Sequence, residues 1–317
     1  MKMPSSEYYI SEIARMKAEK NAIILAHYYQ TGDIQDIADF VGDSLALSQK
    51  AASNNADIIL FAGVKFMAET AKILAPGKKV ILPDINAGCS LADSCKPVDF
   101  RKFKDNNPGR TVVSYVNTSV EIKALSDIIC TSSNAVQIVE SLPLDEKIIF
   151  APDRNLGNFV LNKTGRDIVV WNGTCHVHEE FSLEAILKLK KENPEAKIIV
   201  HPECELPVRM VADFIGSTSA LLKFTQKDTG KSYIVATEVG IIHQMKKENP
   251  DKLYFPAPPK DSTCGCSECN FMKLITMEKI YNSLLNEKPE IIINKNILIK
   301  AQKPIKRMLE ISAKLGI

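Results

Sequence analysis

The chain repeats one order of helices, strands and turns three times, and this repetition limits the folds open to it. Each segment begins with a basic helical stretch, continues into a short apolar strand, and has a second strand that runs into a serine-rich turn. The first strands read AIILAHYY, RTVVSYVN and KIIVHPEC, and a cysteine-bearing loop closes each segment. Residue identity between the segments is weak, so the matched order and the spacing of 85 to 89 residues carry the interpretation.

Strands that alternate with helical patterns indicate parallel sheets with helices on both faces. We therefore predict an α/β fold of three pseudo-symmetric, three-layer α/β/α domains with parallel sheets around a central cavity. The helical segment at the C-terminus lies outside the repeats, and we assign it to the first domain. The predicted domains are residues 1–96 with 273–317, residues 97–181, and residues 182–272.

Each first strand ends in a polar residue that is followed two positions later by another. In extended chain, residues i and i+2 point to the same side, so both members of a pair can face one cleft beyond the strand ends. Taken alone, a histidine here can be a hydrogen-bonded structural residue, a tyrosine can be a packing residue, and an asparagine can cap a helix. The pairs are His27 and Tyr29, Tyr115 and Asn117, and His201 and Glu203.

The serine-rich turns lead into helices, and Ser44, Ser132 and Ser217 are predicted to be N-caps. The exposed N–H groups of a helix N-terminus also bind phosphate or carboxylate groups. Three such termini that face one cavity would form a site for an anionic substrate, and Thr218 would add a hydroxyl group. Both roles stay open at this stage.

Composition and charge exclude several classes of protein. The 317 residues carry a formal net charge of +2, which predicts no nucleic-acid-binding surface. No apolar run approaches the roughly 18 residues that a membrane span needs, and the charged N-terminus has no signal-peptide core. We therefore expect a cytoplasmic protein without membrane or nucleic-acid partners, whose eight cysteines are not disulfide-bonded.

One cysteine follows the last strand of every repeat, and a threefold arrangement would bring these three together. Three thiolates suit a zinc ion with a fourth ligand, or an iron–sulfur cluster with one open iron. The run Cys264-x-Cys266-x-x-Cys269 fits neither common ferredoxin spacing. A zinc ribbon formed with Cys175, His176 and His178 would leave Cys89 unexplained. Cys130 lies in an apolar run and is predicted to be a small buried hydrophobic residue.

The sequence resembles the quinolinate synthases, iron–sulfur enzymes of NAD biosynthesis, over about 250 residues. The matching stretches include AHYYQ at 26–30, VGDSLALS at 41–48, NAGCS at 86–90, SYVNTS at 114–119, NGTCH at 172–176, HPEC at 201–204, GSTSAL at 216–221 and CNFMKL at 269–274. The resemblance implies three domains around a cavity and a [4Fe–4S] cluster with one cysteine from each. The implied ligands are Cys89, Cys175 and Cys269. Cys264 and Cys266 are then bystanders, or they respond to oxidation.

The resemblance also implies a reaction, the condensation of iminoaspartate with dihydroxyacetone phosphate to give quinolinate, phosphate and two waters. Tyr29, His201 and Glu203 are the expected acids and bases. A functional link to the enzyme that supplies the unstable imine is expected. The alternatives are an iron–sulfur hydro-lyase for another small acid, a cluster-bearing redox sensor, and a zinc protein. The expected substrate-binding residues are His27, Ser44, Tyr115, Asn117, Ser132, Ser217 and Thr218.

Overall fold

The computed structural model describes residues 5–261 and 267–317 and contains three four-stranded sheets. All strand pairs are parallel, and helices flank the sheets. The strand order within each sheet is the same, with the first strand of the unit between the second and the third, and the fourth at the edge. The predicted α/β fold with three parallel sheets is confirmed.

The first unit has a sheet whose central strand, AIILAH, is almost completely buried, as expected for a parallel strand covered on both faces. Its elements are α1 (Ser6–Glu19), β1 (Ala22–His27), α2 (Gly32–Ile37), β2 (Phe40–Gly42), α3 (Ser44–Ala52), β3 (Ile58–Ala62), α4 (Lys65–Leu74), β4 (Lys79–Ile81) and α5 (Ser90–Asp93).

The second and third units repeat this order of strands and helices. The second comprises α6 (Pro97–Asp105), β5 (Thr111–Tyr115), α7 (Val120–Leu125), β6 (Ile128–Cys130), α8 (Ala135–Glu140), β7 (Ile148–Ala151), α9 (Arg154–Thr164), β8 (Ile168–Val170) and α10 (His176–Glu179). The third comprises α11 (Leu183–Glu192), β9 (Lys197–Val200), α12 (Leu206–Met210), β10 (Phe214–Ile215), α13 (Thr218–Lys227), β11 (Ser232–Ala236), α14 (Ile241–Glu248) and β12 (Leu253–Pro256).

An aspartate before the second strand of each unit makes the same two contacts in all three. Its backbone N–H donates to the carbonyl of a residue 15 positions earlier, in the first strand, and its carboxylate accepts the N–H of that same residue. The N–H to carboxylate distances are 2.7 Å for Ile24 to Asp39, 2.8 Å for Val112 to Asp127, and 2.7 Å for Ile198 to Asp213. This repeated contact supports the internal repetition more firmly than residue identity does.

The C-terminal segment contains a 3-10 helix (Met272–Leu274), α15 (Met277–Asn286) and α16 (Lys295–Leu315). Helix α15 packs on α1 and β3, whereas α16 packs against α4 of the first unit and against α7 and β6 of the second. Each sheet lies within one predicted domain, and the domain boundaries themselves stay a prediction. No helix within the two described ranges is both long and apolar enough to cross a membrane.

Candidate active site

One cavity lies where the C-terminal ends of the three sheets meet, and it holds about 580 Å³ of empty space. This is the edge at which parallel sheets place their ligands. Both members of every predicted strand-end pair line it, which brings together His27, Tyr29, Tyr115, Asn117, His201 and Glu203.

The histidines of the first and third units are held by the same backbone contact. The N–H of Tyr29 donates to His27 Nδ1 at 3.2 Å, and the N–H of Glu203 donates to His201 Nδ1 at 3.4 Å. An Nδ1 atom that accepts a hydrogen bond carries no proton, so we assign the ring proton to Nε2. Burial lowers the pKa of His27 to about 4 and that of His201 to about 3. Both rings are therefore neutral N–H donors near pH 7.

Glu203 is a buried carboxylate with partners from the second unit. The Tyr115 hydroxyl donates to its Oε1 at 2.5 Å, and His178 Nδ1 lies 3.3 Å from its Oε2. Burial opposes ionisation, but the interactions with His178, His201 and Tyr115 outweigh it and lower the pKa of Glu203 to about 2. Glu203 is thus ionised and able to accept a proton.

Hydrogen bonds link Tyr29 to His178, whose ring lies beside this carboxylate without a hydrogen bond to its Oε2. The Tyr29 hydroxyl lies 2.9 Å from the hydroxyls of both Thr218 and Thr237. The Thr237 hydroxyl is also 3.0 Å from His178 Nε2, and the other nitrogen of that ring faces Glu203. Burial holds the pKa of Tyr29 well above its usual range, so the phenol keeps its proton until a base takes it.

Sequence analysis placed neither His178 nor Thr237 among the expected catalytic or substrate-binding residues, although both are buried at the centre of this network. His178 follows Cys175 by three residues on the short helix α10, and its Nδ1 is also 3.3 Å from the Cys175 sulfur. The i, i+3 spacing that puts both on one side of a helical turn was the available signal. Thr237 comes directly after β11, so the end of this third strand could have been searched for polar residues in the same way.

Cys89, Cys175 and Cys269 all line the cavity, one from each of the three loops that follow the fourth strands. The other described cysteines, Cys95, Cys130 and Cys204, are buried away from it. Cys264 and Cys266 lie outside the described residues.

A repeated backbone contact identifies Cys269 as the counterpart of the other two. In each unit, the N–H three residues after the third strand donates to the carbonyl two residues before the cysteine. The three bonds run from Lys65 N to Ala87 O (2.7 Å), from Arg154 N to Gly173 O (2.7 Å), and from Val239 N to Ser267 O (3.1 Å). The sequence spacing from Cys175 to Cys269 is longer than that from Cys89 to Cys175. The shared contact indicates that this difference reflects a longer loop and not a different position of the cysteine in the unit.

The three cysteines are partly buried, and the loss of contact with water raises the pKa values of their thiols, to about 12 for Cys89 and about 11 for Cys269. Backbone N–H groups two or three residues further along act in the opposite direction at each sulfur. The sulfurs of Cys89 and Cys269 raise the pKa of Cys175 further, as expected of thiols that line the same cavity. A bound metal would reverse this balance, because a thiol that binds a metal loses its proton.

A single metal ion requires ligand atoms that lie close together; three thiolates on one tetrahedral zinc would be about 3.8 Å apart, from Zn–S bonds of about 2.3 Å. Among the described residues, the group whose ligand atoms all lie within 4.8 Å of one another is Cys175, His178 and Glu203. The three cysteines line the same cavity but do not form such a group.

The serine-rich turns differ from the prediction in two of three cases. Ser217 caps α13 and accepts the N–H of Ala220. At α3 the cap is Asp43, whose carboxylate accepts the Ala46 N–H, so Ser44 is the first helical residue. Helix α8 begins only at Ala135, because the Asn134 side chain binds back to the Thr131 N–H. The N-cap predictions for Ser44 and Ser132 are therefore wrong.

Ser44, Ser132 and Thr218 line the cavity, but Ser217 is not among the residues that do. The Ser217 hydroxyl instead lies 2.8 Å from that of Ser133, which donates to the Asp43 carboxylate at 2.6 Å. One residue from each unit contributes to this cluster, and of the three Asp43 also lines the cavity.

The comparisons with known proteins assign the chain to a family. The family model "NadA: Quinolinate synthetase A protein" matches residues 11–310. A quinolinate synthase from Microcystis aeruginosa is 60% identical over 300 residues, 95% of this chain and 94% of that protein. A quinolinate synthase from a Synechocystis species is 58% identical over 303 residues, 96% of this chain and 95% of that protein. This chain therefore belongs to the quinolinate synthases, an enzyme family of NAD biosynthesis.

Proposed function

We propose that this chain condenses iminoaspartate with dihydroxyacetone phosphate to quinolinate, releasing phosphate and two waters. We also propose that Cys89, Cys175 and Cys269 hold a [4Fe–4S] cluster. The observation that carries both proposals is the single cavity to which each unit contributes a cysteine and a strand-end pair. When bound, such a cluster has one iron free of cysteine, which supplies a Lewis acid for substrate oxygen atoms.

The lining of the cavity suits anionic substrates in a particular way. None of the described residues that line it is Lys or Arg, so the binding of carboxylate and phosphate falls to neutral donors. Hydroxyl groups of Ser44, Ser132 and Thr218, the Asn117 amide and the two histidine Nε2–H groups are available. Neutral donors bind anions without forming ion pairs that would hold the product tightly.

We assign the proton transfers of ring closure to Tyr29, Glu203 and the side chains that lie between them. Glu203 is ionised and accepts a proton, and Tyr115 stabilises its charge by a hydrogen bond. Tyr29 is protonated and donates, and Thr237 and His178 connect the two groups. Thr237, His178 and Glu203 are buried and Tyr29 is partly buried, which limits the access of water that would hydrolyse an imine.

Because free iminoaspartate is short-lived in water, we further propose a functional link to the enzyme that makes it. A cytoplasmic location and the lack of membrane or nucleic-acid partners belong to the same proposal.

An anaerobic assay tests the proposed reaction, with purified protein, iminoaspartate generated in place and dihydroxyacetone phosphate. We expect quinolinate and phosphate in equal amounts and about four irons per chain. Ser substitutions of Cys89, Cys175 and Cys269 should each abolish iron binding, and Cys95→Ala and Cys204→Ala should not. Retention of iron by Cys269→Ser would exclude it as a ligand, and a colourless wild-type protein that binds zinc would exclude the cluster.

A further inference from the structure

The third strands of the three units end in equivalent alanines, and a different residue follows each of them by two positions. Ala62, Ala151 and Ala236 each pair with the first strand of their sheet. Two residues later the first unit has Val64, whereas the second and third have the fully buried carboxylates Asp153 and Glu238. Neither carboxylate lines the cavity or takes part in the reaction described above.

The Glu238 carboxylate is held by three donors. Its Oε1 accepts the backbone N–H of Cys269 at 3.2 Å and lies 2.8 Å from Lys273 Nζ. Its Oε2 accepts the N–H of Gly240 at 2.7 Å. A Cβ atom at Gly240 would lie 2.8 Å from that oxygen, so the glycine is required for the close approach. Full use of the carboxylate in hydrogen bonds is what makes a buried ion pair tolerable.

Lys273 connects this carboxylate to the first unit. Its Nζ also donates to the backbone carbonyl of Tyr29 at 2.8 Å. The neighbouring carbonyls of Tyr28 and Gln30, together with that of Gly240, accept hydrogen bonds from the Gln35 amide. The segment that carries Tyr29 is therefore fixed to the third unit by the Lys273 ammonium and the Gln35 amide.

We propose that Glu238 and Lys273 are a pair of positioning residues for the reaction, an inference that rests on the proposed function. Glu238 holds the backbone of Cys269 in the orientation in which its sulfur faces the cavity. Lys273 holds the carbonyl of Tyr29 and so places its phenol between Thr218 and Thr237.

The other two units lack this arrangement. Asp153 occupies the equivalent position in the second unit, but its Oδ1 accepts the N–H of Leu156 at 2.7 Å and its Oδ2 has no hydrogen-bond partner among the described residues. The first unit has Val64 there, which offers no acceptor side chain. The carboxylate contact to the backbone of a cavity cysteine is therefore a feature of the third unit among the described residues.

The experiment compares iron release and turnover in variants of the anaerobically prepared holoenzyme. Glu238→Ala removes the acceptor for the Cys269 N–H, and we expect iron to be lost to a chelator about tenfold faster or more. Glu238→Gln keeps an acceptor oxygen, so its rate should fall between wild type and Glu238→Ala. Lys273→Met should retain iron but lower kcat about tenfold, with KM little changed.

The ion pair between Lys72 and Glu290 supplies matched controls, because its Nζ to Oε1 distance is 3.1 Å and neither residue lines the cavity. Glu290→Ala and Lys72→Met should behave like wild type in both measurements.

The positioning proposal is overturned if Glu238→Ala releases iron no faster than Glu290→Ala, or if Lys273→Met keeps the kcat of Lys72→Met. If Glu238→Ala does not fold, the iron release of Glu238→Gln and the kcat of Lys273→Met still test the proposal. A wild-type protein without iron or quinolinate formation would refute the proposed function instead, so the two failures are distinguishable.

Discussion

The strand ends and the helix starts both approach the cavity, but they do so with different regularity. All six residues of the strand-end pairs line it, in the same register in each unit. The serine-rich turns give three different outcomes, with Ser217 as a cap behind the cavity, Ser44 inside the helix, and Ser132 in a turn before it. The pleat of a strand fixes the direction of a side chain, whereas a helix start is chosen among competing neighbours.

The competition at the helix starts is visible in individual contacts. Asp43 precedes Ser44 and provides a carboxylate cap, which displaces the start by one residue. Asn134 uses its side-chain oxygen for the N–H of Thr131, and its amide binds Ser312 of the C-terminal helix. If this comparison is right, strand-end substitutions change the chemistry, and helix-start substitutions change stability or binding according to where each side chain points.

The largest effect is expected for Glu203→Gln. The amide keeps the size of the side chain but cannot accept a proton, so turnover should fall by at least about 100-fold. Iron content and circular dichroism should stay unchanged. The matched control is Glu205→Gln. Glu205 is two residues away, does not line the cavity, and forms an ion pair with Lys260. Near-normal turnover of Glu203→Gln would remove this carboxylate from the mechanism.

A smaller effect is expected for Tyr115→Phe, which removes the 2.5 Å hydrogen bond to Glu203. Hydrogen bonds to charged groups contribute about 1.5–3 kcal/mol, so turnover should fall about tenfold or more. The hydroxyl favours the ionised carboxylate and lowers the pKa of Glu203. Its loss raises that pKa, so the acidic limb of the kcat/KM profile should move to higher pH. An unmoved limb would contradict the assignment of Glu203 as the base.

Ser217→Ala tests a helix start that points away from the cavity. Loss of its cap on the Ala220 N–H should lower the free energy of unfolding by about 1 kcal/mol, as read from denaturant titration. KM and kcat should not change. A raised KM with unchanged stability would show that Ser217 contacts substrate after all.

The smallest effect on stability is expected for Ser44→Ala. Asp43 retains the cap, so the free energy of unfolding should stay within about 0.5 kcal/mol of wild type. Because the Ser44 side chain lines the cavity, KM should rise about fivefold, the value of one neutral hydrogen bond of about 1 kcal/mol. A loss of stability like that of Ser217→Ala would contradict the assignment of the cap to Asp43.

The local pattern of the chain was sufficient to predict the three sheets, the strand-end pairs and one cavity cysteine per repeat, whereas the choice of Cys269 in the third repeat came from the family resemblance. Strand periodicity and the loop order are properties of neighbouring residues, and a parallel sheet places all its strand ends on one edge. The resemblance to a family then indicated which chemistry these groups serve. Because the pattern occurs three times, each local prediction applied to three equivalent positions.

Only the tertiary structure decided which groups meet across units. His178 faces Glu203, Thr237 joins Tyr29 to His178, and Lys273 joins Tyr29 to Glu238. These partners are about 25 to more than 240 residues apart or lie in different repeats, apart from the i, i+3 pair of His178 and Cys175. Their contacts depend on how three sheets pack against each other, and the position of a helix cap depends on which neighbouring side chain reaches the free N–H first. Neither the packing between sheets nor the choice of helix cap follows from the strand period of two residues or the helix period of 3.6, so no local sequence pattern predicts them.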